Sequence, residues 1–96
     1  MRSAGERELK VEFNESFLKD LKAVKDKSVL AKVKAAIESS EQADTLDKIT
    51  HLKKMRGSRE YFRIRIGDYR VGLKLEGDTL VLIRFLNRKD INRYFP

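Results

Sequence analysis

Leu9, Val11 and Phe13 alternate with Lys10 and Glu12, the period of a strand with one face turned inward. Asn14 follows as a helix cap, with Glu15 in the first turn, where a carboxylate meets the positive end of the peptide dipoles. Phe17, Leu21 and Val24 then recur at intervals of four and three, which places them on one stripe of a helix. Asp26-Lys27-Ser28 interrupts the stripe, and Ser28 is positioned to cap a second helix. Leu30, Val33 and Ile37 repeat the one-sided pattern, which fades in the polar run Ser39–Gln42. Two amphipathic helices joined by a short link predict an antiparallel hairpin, and each stripe needs a sheet or the other helix to cover it.

The next stretch carries less pattern. Leu46, Ile49 and Leu52 are three apart and permit a short helical turn, and Lys53–Arg59 reads as a basic loop. His51 sits in this weakly patterned segment and reads as a surface residue. From Tyr61 the alternation is strict through Ile66, and Gly67-Asp68 supplies a turn. Tyr69 to Leu75 alternates again, followed by a second turn at Gly77-Asp78. Thr79–Leu86 is almost continuously apolar, as a strand buried on both faces would be. The tail from Asn87 to Pro96 is polar, then aromatic. These elements predict one α+β domain over residues 1–96: an N-terminal strand, a two-helix hairpin packed on an antiparallel sheet, and a C-terminal three-strand meander.

Composition narrows the chemistry. With 96 residues, 41% of them hydrophobic, the chain has material for one core. It has no cysteine and a single histidine, which excludes a disulfide framework and a cysteine- or histidine-rich metal site. No cluster of carboxylates has ligand spacing either, so neither metal nor cofactor is expected. No apolar run approaches the ~20 residues of a membrane span, and MRSAGERELK has no signal-peptide core. A soluble cytoplasmic protein without a membrane partner is the expectation.

The net charge of +7 is unevenly placed. Residues 1–50 hold 10 basic and 10 acidic side chains, whereas residues 51–96 hold 12 and 5. Lysine dominates the first half and arginine the second, 8 of its 12 basic residues. Arginine's planar fork grips phosphate in bidentate fashion and stacks on bases. A polyanionic partner, nucleic acid first, follows. Alternation sorts these residues by face. Phe62, Ile64 and Ile66 share one side with Tyr69, Val71, Leu73 and Leu75, and the other side presents Arg63, Arg65, Arg70 and Lys74. Gly72 leaves room there for close approach. Cations on adjacent strands repel, and no acidic residue interleaves them, so the face is expected to meet phosphate. Arg88, Lys89, Arg93 and Tyr94 follow the last strand; Tyr94 suits stacking on a base, and Phe95 suits packing onto the core.

Met55-Arg56-Gly57, Tyr61 through Gly72, and Asn87-Arg88-Lys89-Asp90-Ile91 with Tyr94-Phe95-Pro96 together resemble the RelE/ParE superfamily of toxins. The order of strand, helical hairpin and antiparallel sheet is similar to the family's as well. The resemblance implies an endoribonuclease that cuts mRNA in the ribosomal A site and is held inactive by a co-encoded, acidic, RelB-like antitoxin. Operator DNA would be reached only through that antitoxin. It also implies roles for particular residues: Arg63 and Arg65 as the basic pair of the first meander strand, Arg70 opening the second, Arg88 after the last, and Tyr94 six residues on. Relatives often carry histidine before that last arginine and tyrosine four residues after it, where this chain has Asn87 and Asn92.

RNA cleaves itself when its 2′-hydroxyl is aligned with the adjacent phosphorus, provided the phosphorane's charge is neutralised and two protons move. The expected catalytic set is Arg65, Arg70, Arg88 and Tyr94, acting without metal. Lys53, Lys54, Arg56, Arg63, Lys74, Lys89 and Arg93 are the expected RNA contacts. Two other readings stand beside this one: a ParE-like inhibitor of DNA gyrase, and an RNA-binding protein without chemistry.

Overall fold

The computed structural model describes residues 9–96, so the reading of the extreme N-terminus as lacking a signal peptide lies outside them. Strand β1 (Lys10–Phe13) leads into helix α1 (Glu15–Lys22) and helix α2 (Lys27–Gln42). A single 3₁₀ turn (Leu46–Lys48) precedes strands β2 (Leu52–Lys54), β3 (Tyr61–Ile66), β4 (Tyr69–Glu76) and β5 (Thr79–Asn87), and the short helix α3 (Ile91–Tyr94) closes the chain.

The five strands form one sheet in the order β1-β5-β4-β3-β2. All pairs are antiparallel except β1 with β5, which run parallel, so the expected antiparallel sheet is a mixed one. The cause is topological. The chain leaving β1 passes through both helices and enters the far edge of the sheet as β2, running opposite to β1, and three antiparallel reversals then bring β5 beside β1 in the same direction. The two hairpins follow expectation. Each turns on two residues, with Gly67 and Gly77 at positive φ where an L side chain would be strained.

Both helices cover one face of the sheet. Phe17 from α1 and Val33 from α2 are buried against Phe62, Ile64, Val71, Leu73, Leu80, Leu82 and Phe85. The α2 cap differs from expectation: Asp26, not Ser28, is the N-cap, accepting from the backbone N–H groups of Ser28 and Val29 and from the Ser28 hydroxyl. A carboxylate outcompetes a hydroxyl there because it also favours the helix dipole.

Two further departures shape the other face. The basic segment expected as a loop begins as β2, whose residues 52–54 pair with β3. Strand β5 carries a bulge: Gly72 pairs with Arg84 but Leu73 with Leu82, leaving Ile83 extra. The bulge reverses the alternation, sending Phe85 into the core and turning Arg84 to the side away from it. Helix α1 then seals the edge of β5 that β1 is too short to cover. Asn14 donates its backbone N–H to the Leu82 carbonyl, the Ser16 hydroxyl donates to the Ile83 carbonyl, and the Asp20 carboxylate accepts from the Phe85 N–H. Three edge groups are thereby satisfied without another strand.

Candidate functional site

The face opposite the helices is partly roofed by the tail. Arg88 donates its backbone N–H to the Asp68 carbonyl at 2.8 Å, which pins the exit of β5 to the β3–β4 turn. Helix α3 then lies over the sheet and buries Ile91 and Phe95. Phe95 packs edge-on against Tyr61 and lies over Gly72. The room left at Gly72 is therefore filled by the chain's own tail rather than by a ligand. Tyr94 remains 54% exposed, with its ring above the Arg84 guanidinium.

Beside the roofed part runs a groove of about 430 Å³ lined by His51, Leu52, Lys53, Arg63, Arg65 and Arg70. Its members come from three adjacent strands and the turn before β2. Register explains the gathering: Lys53 pairs with Arg63 and Arg65 with Arg70, so like charges stand directly opposite one another. What holds them is neutral. Arg63 donates to the Asn92 side-chain oxygen at 2.7 Å, and Arg70 donates to the carbonyls of Gly67 and Tyr69 at 2.9 Å each. Arg65 bonds the ring of His51 at 3.2 Å. Partial burial depresses the Arg70 pKa from its ordinary value, and Arg65, Arg63 and Arg88 push it the same way, opposed by Asp68. An anion entering this groove relieves repulsion that Asp68 offsets only in part.

The other expected residues are distributed around it. Lys53, Lys54, Arg56 and Arg63 line a second basic hollow of about 740 Å³ together with Arg59. Arg88, Lys89 and Arg93 are exposed along the tail. Lys74 stands apart, 3.6 Å from Glu76 and over the ring of Tyr61, so an anion does interleave at that end of the face.

Three contributors escaped the sequence reading. His51, read as a surface residue, lines the groove. Asn92, noted only as a departure from relatives, anchors Arg63. Arg84 joins the tail to α1, since its Nε and Nη2 donate to the Asp20 carboxylate at 2.7 and 3.1 Å beneath the Tyr94 ring. That hydrogen-bonded pairing raises the Arg84 pKa further from its ordinary value. A lone arginine inside an apolar strand was the available signal, because such a charge demands a partner. Among the described residues, no group of His, Asp and Glu could hold a metal ion, and no helix is long and apolar enough to cross a membrane.

A sheet covered on one side by two helices, with an arginine groove and an aromatic tail on the other, defines a small basic α+β domain built to meet an anion. The chain belongs to the RelE/ParE superfamily of type II toxin–antitoxin toxins: residues 11–92 match the family described as the ParE toxin of the type II toxin–antitoxin system, parDE. It is 39% identical over 89 residues to Toxin RelE3 of Methanocaldococcus jannaschii, covering 92% of this chain and all of that one. It also resembles the crystal structure of a RelB-RelE antitoxin-toxin complex from Methanococcus jannaschii, with a TM-score of 0.75 and 38% identity over 88% of this chain and 99% of that one. An archaeal RelE-RelB complex from Pyrococcus horikoshii shares the fold, at a TM-score of 0.69 but 17% identity, over 85% of this chain and 97% of that one.

Proposed function

We propose that this toxin is a ribosome-dependent endoribonuclease that cuts mRNA in the A site through attack of the RNA's own 2′-hydroxyl. The observation that carries the reading is the groove itself, where Lys53, Arg63, Arg65 and Arg70 converge on one hollow with no carboxylate lining it. Arg70 and Arg88 act as clamps on the scissile phosphate and on the charge that builds as the phosphorane forms. Tyr94, exposed on the tail, stacks on a base and holds the nucleotide in line. Lys53, Lys54, Arg56 and Arg59 extend the positive surface along the path of a longer RNA.

The solved relatives from M. jannaschii and P. horikoshii are complexes with RelB. By the same logic this chain pairs with an acidic, RelB-like antitoxin, which neutralises the cationic face and supplies the only route to operator DNA. Its place of action is then the cytoplasm, where ribosomes are.

A second reading has one observation in its favour: the matching family is described by ParE, not RelE. In that reading the chain inhibits DNA gyrase and the groove is a docking surface. Purified toxin added to translating ribosomes, with primer extension on the mRNA, separates the two. Cuts within A-site codons are expected. Intact mRNA together with loss of supercoiling in a gyrase assay would replace the nuclease reading with the ParE one.

A further inference from the structure

Among the groove's lining residues, His51 alone offers a lone pair. Lysine and arginine stay protonated near neutral pH and only donate, so they stabilise charge without accepting a proton. The backbone at His51 is unusual. Its φ of +64° makes it the one described non-glycine residue in the left-handed region, and it occupies the turn immediately before β2. Such conformations are costly and persist where surrounding structure enforces them, often at functional sites. Here the enforcement comes from Arg65. Its backbone N–H donates to the His51 carbonyl at 3.3 Å, and its Nη2 lies 3.2 Å from the imidazole Nδ1. A guanidinium can only donate, so Nδ1 is the accepting nitrogen in this contact and Nε2 carries the ring hydrogen.

This arrangement has a consequence for the reaction proposed above, on which the inference rests. We propose that His51 is the proton acceptor of RNA cleavage, taking the 2′-hydroxyl proton on Nδ1 when the scissile phosphate draws the Arg65 guanidinium away. The O2′–H bond breaks as the proton moves to Nδ1, the O2′–P bond forms, and the P–O5′ bond breaks. The departing O5′ takes a proton from water, and the imidazolium returns its own to solvent. The products are a 2′,3′-cyclic phosphate and a 5′-hydroxyl. Arg65 thereby holds the base in its productive tautomer before substrate arrives and the phosphate afterwards.

The charges facing His51 are Lys32 from α2, Lys53 from β2, Arg63 and Arg65 from β3, Asp68 from the β3–β4 turn and Arg70 from β4. Five are cations and the sixth is a carboxylate, and among these side-chain types histidine is the one that ordinarily changes charge between about pH 5 and 8. A rate that rises with pH across the window reports the imidazole.

The test is His51→Asn. Asparagine tolerates positive φ, and its side-chain oxygen reaches the position of Nδ1, so the bond to Arg65 survives while the titrating group is gone. Cleavage by toxin on ribosomes is expected to fall ~10²–10⁴-fold, with ribosome binding unchanged and the pH dependence flattened. His51→Gly, which the same φ accommodates, is expected to regain activity when free imidazole is added, and it decides the matter if the asparagine variant melts abnormally. A wild-type toxin that cuts while His51→Asn cuts equally fast, or with the same pH profile, overturns the assignment and leaves the nuclease reading intact. A wild-type toxin that cuts no mRNA overturns both.

Discussion

The ring of Phe95 occupies the space that a side chain on Gly72 would need, with three of its carbons 2.6–2.8 Å from the position of a Cβ there. The pairing fixes the height of the tail above the sheet, and with it the placement of Arg88 and Tyr94. Gly72→Ala is expected to lift the ring, lower the melting temperature and reduce cleavage. Phe95→Ala removes a buried ring and is expected to cost about 3–5 kcal/mol. In the Phe95→Ala background the Gly72→Ala change should become nearly neutral, because the clash has gone. A double-mutant cycle from denaturant unfolding measures this, and additive losses would show that the two residues act separately.

Arg70→Ala and Arg88→Ala are each expected to slow mRNA cleavage on ribosomes by ~10²–10³, the usual loss when a donor to developing charge is removed. Their stabilities should differ. The Arg70 guanidinium also ties the β3–β4 turn through the Gly67 and Tyr69 carbonyls, so its loss should cost about 1–2 kcal/mol. Arg88 is exposed, and its tether to Asp68 runs through backbone, so Arg88→Ala should melt as the wild type does. Rapid cleavage by the double variant would remove both from the reaction.

Asp20 accepts three hydrogen bonds, two from Arg84 and one from the Phe85 backbone. Asp20→Ala leaves a partly buried guanidinium and an edge N–H without that partner, for an expected loss of about 2–3 kcal/mol. Arg84 would also lose its fixed position beneath Tyr94, so the Tyr94 ring resonances in NMR spectra should shift. Unchanged stability would mean that α1 does not seal the β5 edge through this residue.

The Asp26 carboxyl lies below its ordinary pKa, chiefly through the Ser28 hydroxyl and then through the Ser28 and Val29 backbone N–H groups. A depressed folded-state value means that its contribution is complete above the unfolded value near 3.8 and disappears as pH falls through the lower, folded one. Asp26→Asn should therefore melt below the wild type at pH 6, with the gap narrowing in acid. Thermal unfolding followed by circular dichroism across that range is the check, and a gap independent of pH would contradict it.

The legibility of this chain divides along physical lines. The stripes of α1 and α2, the alternation of β3 and β4 and their glycine turns are written locally, since each depends on neighbours within a few residues. The arginine side of β3 and β4 was equally plain, because a strand with one buried face leaves its alternate residues no other direction. The resemblance of the 61–72 and 87–96 segments to RelE/ParE toxins anticipated the family to which the chain belongs.

Other features had no local signature. Three residues of β2 carry too little pattern to announce a strand, and it exists because β3 offers an edge to Lys53 and Lys54. The bulge at Ile83 is a property of two strands in register, and it alone decides that Arg84 lies with the tail and Phe85 with the core. His51 gained its place by a positive φ and a bond to a residue 14 positions away. Periodicity thus determined which residues face the core and which chemistry the surface carries. Tertiary structure decided which of those surface groups meet, because register, bulges and the path of the tail come from pairings between distant segments that no local pattern encodes.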